Sequence, residues 1–560
     1  MIVRPSVLFI GLFLVYGALS VDYCSFGEKC WPSTKTWSKF NASIDGRLIA
    51  PRPPAWPCHD PDYNEAACNE VKSNWESSLW RANQAGAMQD PVWESPGCDI
   101  YTPRNVSCSQ GFVPAYSVVA LNGSDVSKAV SFARKYKLKL VIKNTGHDYL
   151  GRSSGAGSFS IWTRNLKGIK FTNAFIPDGC PKYETAVPAV TIGAAEHWID
   201  VYKAANDHNV TVVGGATRTV GAAGGWVQGG GHSPLGALYG MGVDNALQFT
   251  VVKSDGEIVT ANSCQNKDLF WALRGGGGST YGVTLDVTYK THPPLRSVVM
   301  VAMQVNCTSP EQMTDMTAAF FRALPHITDQ GARGYGVWMV PNNSFMVLLI
   351  HPNSPSVEAT NNTVQLIFDR ASQNNGTVVG TIGTIHSTFY EMFTMFVTYT
   401  GDSGIAVPIW LGSRLVSRVS LLHNSEKMAE LIVASPHVSS VLNIVGGGAV
   451  NDFDPDSAGL NPQWRRDALL HWTFNGRWSD QAPDELIGQI KHEVTSVTQR
   501  LGALSGLDHA AYFNEADPGE PQWEQAFFGS HYDRLLEIKK QIDPHGVFTC
   551  NRCVGTGSVN

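Results

Sequence analysis

His147 is the side chain in this sequence whose neighbours best equip it for chemistry. It lies in the run Val141-Ile142-Lys143-Asn144-Thr145-Gly146-His147-Asp148-Tyr149-Leu150-Gly151-Arg152-Ser153-Ser154-Gly155. The apolar residues Leu140 to Ile142 read as a short buried strand, which then breaks into Gly, Ser, Asn and one His. A second strand pattern, Ser158 to Thr163, follows. Glycines at 146, 151, 155 and 157 let backbone approach a ligand, and consecutive exposed N–H groups in such a loop form an anion-binding nest that suits a pyrophosphate. An imidazole in that loop can serve as nucleophile, acid/base or ligand.

Two more glycine passages share the region: Val220 to Ser233, containing Gly224-Gly225 and Gly229-Gly230-Gly231-His232, and Leu269 to Val283, containing Gly275-Gly276-Gly277-Gly278. One such cluster marks only turns. Three clusters, each leaving an apolar run, favour a large flat ligand lying against bare backbone. Neither passage completes G-x-G-x-x-G, because the last position is Thr280 in one and Pro234 in the other, which argues against an ordinary nicotinamide dehydrogenase. P-loop and H-E-x-x-H patterns are missing, and no metal site is expected. Gly151-Arg152-Ser153-Ser154-Gly155 matches the nucleophile elbow, but an elbow feeds a helix and this loop feeds a strand, so the match reads as coincidence. Asp452, Asp454 and Asp456 imitate a calcium loop, yet Ser457 and Gln463 hold its sixth and twelfth positions; a solvated acidic loop is the reading. Cys550-x-x-Cys553, close to the chain end, reads as a structural bridge.

The elements that must position these residues need more than one lobe, since 560 residues exceed one ordinary core. A formal charge of -6 and the lack of a Lys/Arg cluster argue against nucleic acid and against a membrane surface. Arg4, the apolar run Val7 to Leu14 and the small residues Ala18 and Ser20 read as a signal peptide over 1–20, hence a secreted chain. Export agrees with sequons at Asn41, Asn105, Asn122, Asn209, Asn306, Asn342, Asn361 and Asn375, which would carry N-linked glycans. It also agrees with 11 cysteines, mostly paired, the odd count leaving at least one over and the connectivity open. Residues 21–110 read as a disulfide-rich extension and 111–294 as alternating helix and strand. In that part the elements are a helix Ser124 to Lys137 with Asp125 in its first turn, strands Ala189 to Ile192 and Val210 to Val213, and a helix Ala195 to His208. Residues 295–508 read as an α+β lobe with strands at Tyr335 to Val340, Phe345 to Ile350 and Val441 to Val445. The tail, 509–560, carries a helix from Tyr532 to Ile542.

Four motifs in order resemble the vanillyl-alcohol-oxidase type of flavoprotein and, within it, the berberine-bridge-enzyme-like fungal secreted FAD-linked oxidases. They are Lys143-x-x-Gly146-His147-x-x-x-Gly151-x-Ser153; Gly229-Gly230-Gly231-His232 leading to Tyr239-Gly240-x-x-Val243-Asp244-Asn245; the Leu269-to-Arg274 glycine stretch; and Tyr512-x-Asn514-Glu515 before Asp543-Pro544-x-x-x-Phe548. The resemblance spans about 110 to 555. It implies an α+β fold: a two-subdomain FAD-binding domain of the PCMH type, a substrate domain on an antiparallel sheet, and a tail returning to the flavin. It also implies that His147 is joined to the 8α-methyl of the flavin. Other positions implied at the cofactor are Lys143, Asn144, Thr145, Gly146, Gly151, Ser153, Gly215, Thr217, Gly221, Gly225, Gly231, His232 and Asn514. Many members carry a second link from a Cys; Thr217 stands at that position here, so a single link through His147 is expected.

The function this implies is oxidation of an alcohol-type substrate (alcohol, carbohydrate or specialised metabolite), hydride passing to FAD and then to oxygen, with hydrogen peroxide released. Candidates for the proton acceptor are Tyr399, His386 and His471 in the second lobe and Tyr512 in the tail. The small residues Ala222 to Gly225 could leave oxygen a path. Two alternatives keep the flavin: a dehydrogenase that excludes oxygen, or an oxidative cyclase of secondary metabolism. A third, a secreted glycan-binding or glycan-cleaving protein, draws on 16 Trp but leaves the glycine passages unexplained. A fourth, an inactive flavoprotein kept as a binding protein, would need a degraded His147 loop.

Overall fold

The computed structural model describes residues 23–401, 404–435 and 437–556. The expected signal peptide lies outside them. Three sheets organise the chain. The first is β1 (Leu48–Ile49), β2 (Tyr116–Val119), β3 (Leu140–Lys143) and β4 (Phe159–Trp162), in the order β1-β2-β4-β3. β2, β4 and β3 run parallel, and the extension adds β1 as an antiparallel edge. Parallel strands need a crossover, and the helix Gly123–Tyr136 provides one. Asn122 caps it by accepting from the Asp125 N–H, and Val126, Ala129, Val130 and Ala133 form its buried stripe. Asp125 does more than favour the first turn: it is buried, accepts from the Leu121 N–H and pairs with Arg47, which fastens the extension to this lobe.

The second sheet, β5 (Ile169–Phe175), β6 (Val187–Gly193), β7 (Ala246–Val252), β8 (Ile258–Asn262) and β9 (Val283–Lys290), is antiparallel, ordered β5-β6-β9-β7-β8. The expected helix after β6 spans Trp198–Asp207. The expected strand Val210 to Val213 is reduced to one bridge, Thr211 with His292. Val212 and Val213 are buried all the same. An apolar run reads alike whether it pairs or only packs.

The third sheet has seven strands, β10 (Val298–Asn306), β11 (Arg333–Met339), β12 (Ser344–Pro352), β13 (Val378–His386), β14 (Ile409–Ser417), β15 (Val438–Ile444) and β16 (Ala468–Arg477). Its order is β13-β10-β12-β11-β15-β16-β14, every pair antiparallel. Helices Pro310–Asp329, Ser425–Val433 and Asp484–Leu504 cover one face. Alternation along β16 sends Leu470, Trp472 and Phe474 into that helix-covered core and leaves His471 on the opposite face. Register then sets a row across the opposite face: Ala302, Leu348, Tyr335, Asn443, His471, Leu415. Three polar side chains in an otherwise apolar row mark where the sheet meets something polar.

Disulfides join Cys24 to Cys30, Cys58 to Cys68, Cys98 to Cys108, Cys180 to Cys264 and Cys550 to Cys553, and Cys307 is free. The three bridges of the extension are local. Among the described residues no helix is long and apolar enough to cross a membrane.

The extension also inserts the segment around Gln89 and Asp90 between the His147 loop, through the Gln89 N–H to the Gly146 carbonyl, and the Ala406 loop, through the Ala406 N–H to the Gln89 carbonyl. Burial pushes the Asp90 carboxyl up to about 8, with backbone N–H groups of Val92 and Ile409 opposing. Its Oδ2 has no partner among the described residues. The native state therefore binds the extra proton, and the stability Asp90 contributes is lost as pH rises from the ordinary carboxylate range to about 8. Asp90→Asn keeps the acceptor and removes the charge. It should stabilise the protein by about 1–3 kcal/mol above pH 8 and flatten this part of the pH dependence, read by thermal unfolding across pH.

Candidate functional site

A cleft opens between the first two sheets, with the returning tail closing one side. β3 delivers the loop from Asn144 to Ser153 to its wall, because a strand that ends in glycine releases its backbone at the sheet's edge. Of the positions assigned to a cofactor, Asn144, Thr145, Gly146, His147, Ser153, Thr217, Gly221, Gly225 and Asn514 line this cleft.

Five others do not, and each has a packing reason. Lys143 is buried and donates to the Gln84 and Ala85 carbonyls of the extension, and its burial lowers its amine to about 7. Gly151 is in a left-handed conformation (φ 76°), and a Cβ there would sit 2.4 Å from the Trp93 ring. Gly215 and Gly231 lie against Trp226. His232 stands behind the lining, bonded to Glu515.

The imidazole of His147 faces the cleft with Nε2 2.8 Å from the Thr219 hydroxyl. On the same wall Arg152 is bound by Asp148, donates from Nη2 to the Phe513 carbonyl at 3.1 Å and lies 3.8 Å over the Phe513 ring. The tail is thereby clamped to the His147 loop.

The tail brings Tyr512, Asn514 and Glu515 into the cleft. Tyr512 was a candidate proton acceptor, and the structure corrects this. Its hydroxyl accepts from Asn514 Nδ2 at 2.8 Å and from the Gly231 N–H at 3.3 Å, and donates to the Trp226 carbonyl at 3.4 Å. With its proton and both lone pairs engaged, and with burial beside Glu515 pushing its pKa further up, it is a fixed post rather than a base. Tyr399 is 59 % exposed on the helix Phe389–Thr400, and His386 ends the edge strand β13, bonded to Thr384. Neither lines the cleft.

His471 is fully buried on β16, with Nδ1 3.4 Å from Glu515 Oε2. Burial, with His232 adding to it and Glu515 opposing, lowers its imidazole to about 4, so it is neutral at ordinary pH. Glu515 itself is the residue that sequence reasoning quoted in a motif without assigning a role. Burial would raise its carboxyl, but His232 by charge and hydrogen bond, and His471 to a lesser extent, hold it below the usual range.

Does the cleft fit FAD? A flat cofactor with a polar rim and two phosphates needs bare backbone and unused polar atoms. A Cβ on Gly225 would meet nothing within 4 Å. Arg152 Nη1, Asn144 Oδ1 and Gln228 Oε1 are buried without partners among the described residues and belong to lining side chains. A cation, amide oxygens and open glycine together match a dinucleotide with a hydrogen-bonding ring.

The class this fold and cleft define is the flavin-dependent oxidoreductase. An FAD binding domain model matches residues 114–262, and a berberine and berberine like model matches 511–555. An uncharacterized FAD-linked oxidoreductase of Arthroderma benhamiae is 41% identical over 539 residues, covering 95% of this chain and 94% of that protein. The FAD-linked oxidoreductase patO of Aspergillus clavatus is 33% identical over 547 residues, covering 95% and 92%. The VAO-type flavoprotein MtVAO713 of Myceliophthora thermophila C1 superposes with a TM-score of 0.87 at 28% identity, covering 95% of this chain and 97% of that one. This chain belongs to the berberine-bridge-like FAD-linked oxidoreductases of the vanillyl-alcohol-oxidase type, and it has their α+β fold.

Proposed function

We propose that this protein is a secreted oxidase that carries FAD on a single covalent link through His147, takes hydride from an alcohol-type small molecule and passes the electrons to oxygen. The observation that carries the reading is His147 on the wall of the same cleft as Tyr512 and Glu515, its ring oriented by Thr219. Thr217 also lines the cleft. A hydroxyl at the place where a thiol would form the second link supports one attachment only. Bound FAD supplies a two-electron acceptor. The chain's own part is to hold it: Arg152 offers a cation, Asn144 and Gln228 offer acceptors, and Tyr512 with Asn514 fixes the tail over the site.

Oxygen as acceptor is supported by the open space at Gly225, flanked by buried Ala222 and Ala223. Secretion is supported by five disulfides and by exposed side chains at sequon residues Asn105, Asn122, Asn209, Asn306, Asn342 and Asn375, while Asn41 and Asn361 are half-buried.

The test is direct. The protein recovered from culture medium is precipitated with acid, and its colour should stay with the pellet. The native enzyme, photoreduced without oxygen and then aerated, should release one peroxide per flavin. Slow reoxidation with no peroxide would mean a dehydrogenase instead.

A further inference from the structure

We infer that Glu515 is the proton acceptor of the oxidation and that His232 and His471 are the positioning residues that keep it ionised and aimed. The inference rests on the flavin oxidoreductase reading above and names the chemistry of the same cleft. Glu515 is a carboxylate in the lining whose neighbours leave it available, with 26% of its side chain accessible. The other lining carboxylate, Asp148, is occupied by Arg152.

Each oxygen of Glu515 has an imidazole beside it, His232 Nε2 at 3.2 Å from Oε1 and His471 Nδ1 at 3.4 Å from Oε2. An ionised carboxylate only accepts, so His232 Nε2 carries the proton that faces Oε1, while His471 Nδ1, which also meets Asn443 Nδ2 at 3.1 Å, flanks Oε2. The remaining titratable and charged groups around it are Tyr512, Tyr149 and Tyr335, all pushed upward and neutral, and the Arg152 guanidinium bound to Asp148.

The two histidines come from different sources. His232 follows the Gly229 to Gly231 turn, whereas His471 is fixed by alternation on β16 and stands opposite Asn443, whose Nδ2 donates to the His471 carbonyl at 3.0 Å. Both rings pack edge-on against Tyr512, 5.1 and 5.4 Å away. Rigid supports of this kind hold a base within reach of one substrate position.

In the step, the substrate O–H bond breaks and its proton goes to a Glu515 oxygen. The O–H electron pair becomes the second bond of the carbonyl as the C–H bond breaks, its hydride leaving by the two-electron chemistry stated above. The carboxylic acid then returns its proton to water through the open cleft.

The same three side chains could grip a divalent cation. A metal-bound imidazole, however, has its second nitrogen held by an outer partner, whereas His232 Nδ1 and His471 Nε2 have none among the described residues.

The test uses the holoenzyme, Glu515→Gln and His471→Asn. The probe is a panel of primary, secondary and benzylic alcohols, with anaerobic flavin bleaching as the first readout. The second readout, the infrared carboxyl band of wild type minus Glu515→Gln against pH, needs no substrate. Glu515→Gln should bleach about 10²–10⁴-fold more slowly, with reoxidation by oxygen unchanged. The infrared difference should show an ionised carboxylate down to below the ordinary glutamate range of about 4.3. His471→Asn should move that transition, and the acid limb of bleaching with it, upward.

Bleaching of Glu515→Gln within tenfold of wild type overturns the assignment. So does a carboxyl protonated at neutral pH, or one equivalent of metal that copurifies with wild type and is lost in the variant. If no alcohol bleaches either enzyme, the infrared band decides. A colourless wild type would instead sink the flavin reading itself, which keeps the two failures distinguishable.

Discussion

His147→Ala should leave a protein that folds but releases all of its flavin on acid precipitation, where the wild type keeps it. The substitution removes a cleft-lining ring and its hydrogen bond to Thr219, while the Arg152 clamp, the Tyr512 post and the surrounding sheets stay. Noncovalent FAD should therefore still bind, because Arg152, Asn144 and Gln228 remain. Loss of an electron-withdrawing link should also lower the potential. For a two-electron couple each drop of about 30 mV is about 1.4 kcal/mol, which is about tenfold in rate where it is expressed fully in the barrier. Redox titration against reference dyes and denatured-protein spectra check both. Flavin that stays with denatured His147→Ala would place the attachment elsewhere, and Thr217 offers no thiol for it.

The second large effect is structural and acts on the tail. Arg414 on β14 and Glu520, five residues after Glu515, form a two-pronged pair at 2.7 and 3.1 Å with both side chains essentially inaccessible. Gln499 from the helix Asp484–Leu504 donates to the same carboxylate at 2.9 Å. Arg414→Ala strands a buried carboxylate and should cost about 3–5 kcal/mol. The double replacement Arg414→Met with Glu520→Met should cost much less than either single change, since the charge leaves with its partner. Thermal unfolding measures both, and limited proteolysis near Pro518 reports whether the tail has loosened. A single variant as stable as wild type would show that the Phe513 to Arg152 contacts hold the tail without this pair.

Tyr399 and Tyr512 show how far local reading goes toward a site. Both are tyrosines in plausible segments, yet one is 59 % exposed on a helix and the other is fully buried with every hydroxyl bond engaged. Hydrogen-bond saturation is a property of partners up to 286 residues away, so no window of sequence contains it. Glu515 illustrates the converse. It stood in a quoted motif, but its surroundings come from His232 and His471, which approach it from 283 and 44 positions distant in the chain.

Sequence by itself determined what local chemistry dictates. The strand, glycine loop and strand around His147, the helix that begins near Ser124, the strands of the second lobe and the helix Tyr532–Ile542 follow from periodicity and first-turn chemistry within a few residues. The spacing of four motifs was enough to indicate the family. Tertiary structure alone decided which glycines meet a ligand and which meet protein. Gly225 opens onto the cleft with nothing within 4 Å of a Cβ, while Gly221 faces Asn144, Gly151 faces Trp93, Gly231 faces Trp226 and Gly277 faces Phe513. A glycine states only that a Cβ does not fit; what excludes it is supplied by a distant part of the chain. The same reason governs the carboxylate at 515. Its type is written locally, and its ionisation, direction and neighbours are set by the fold.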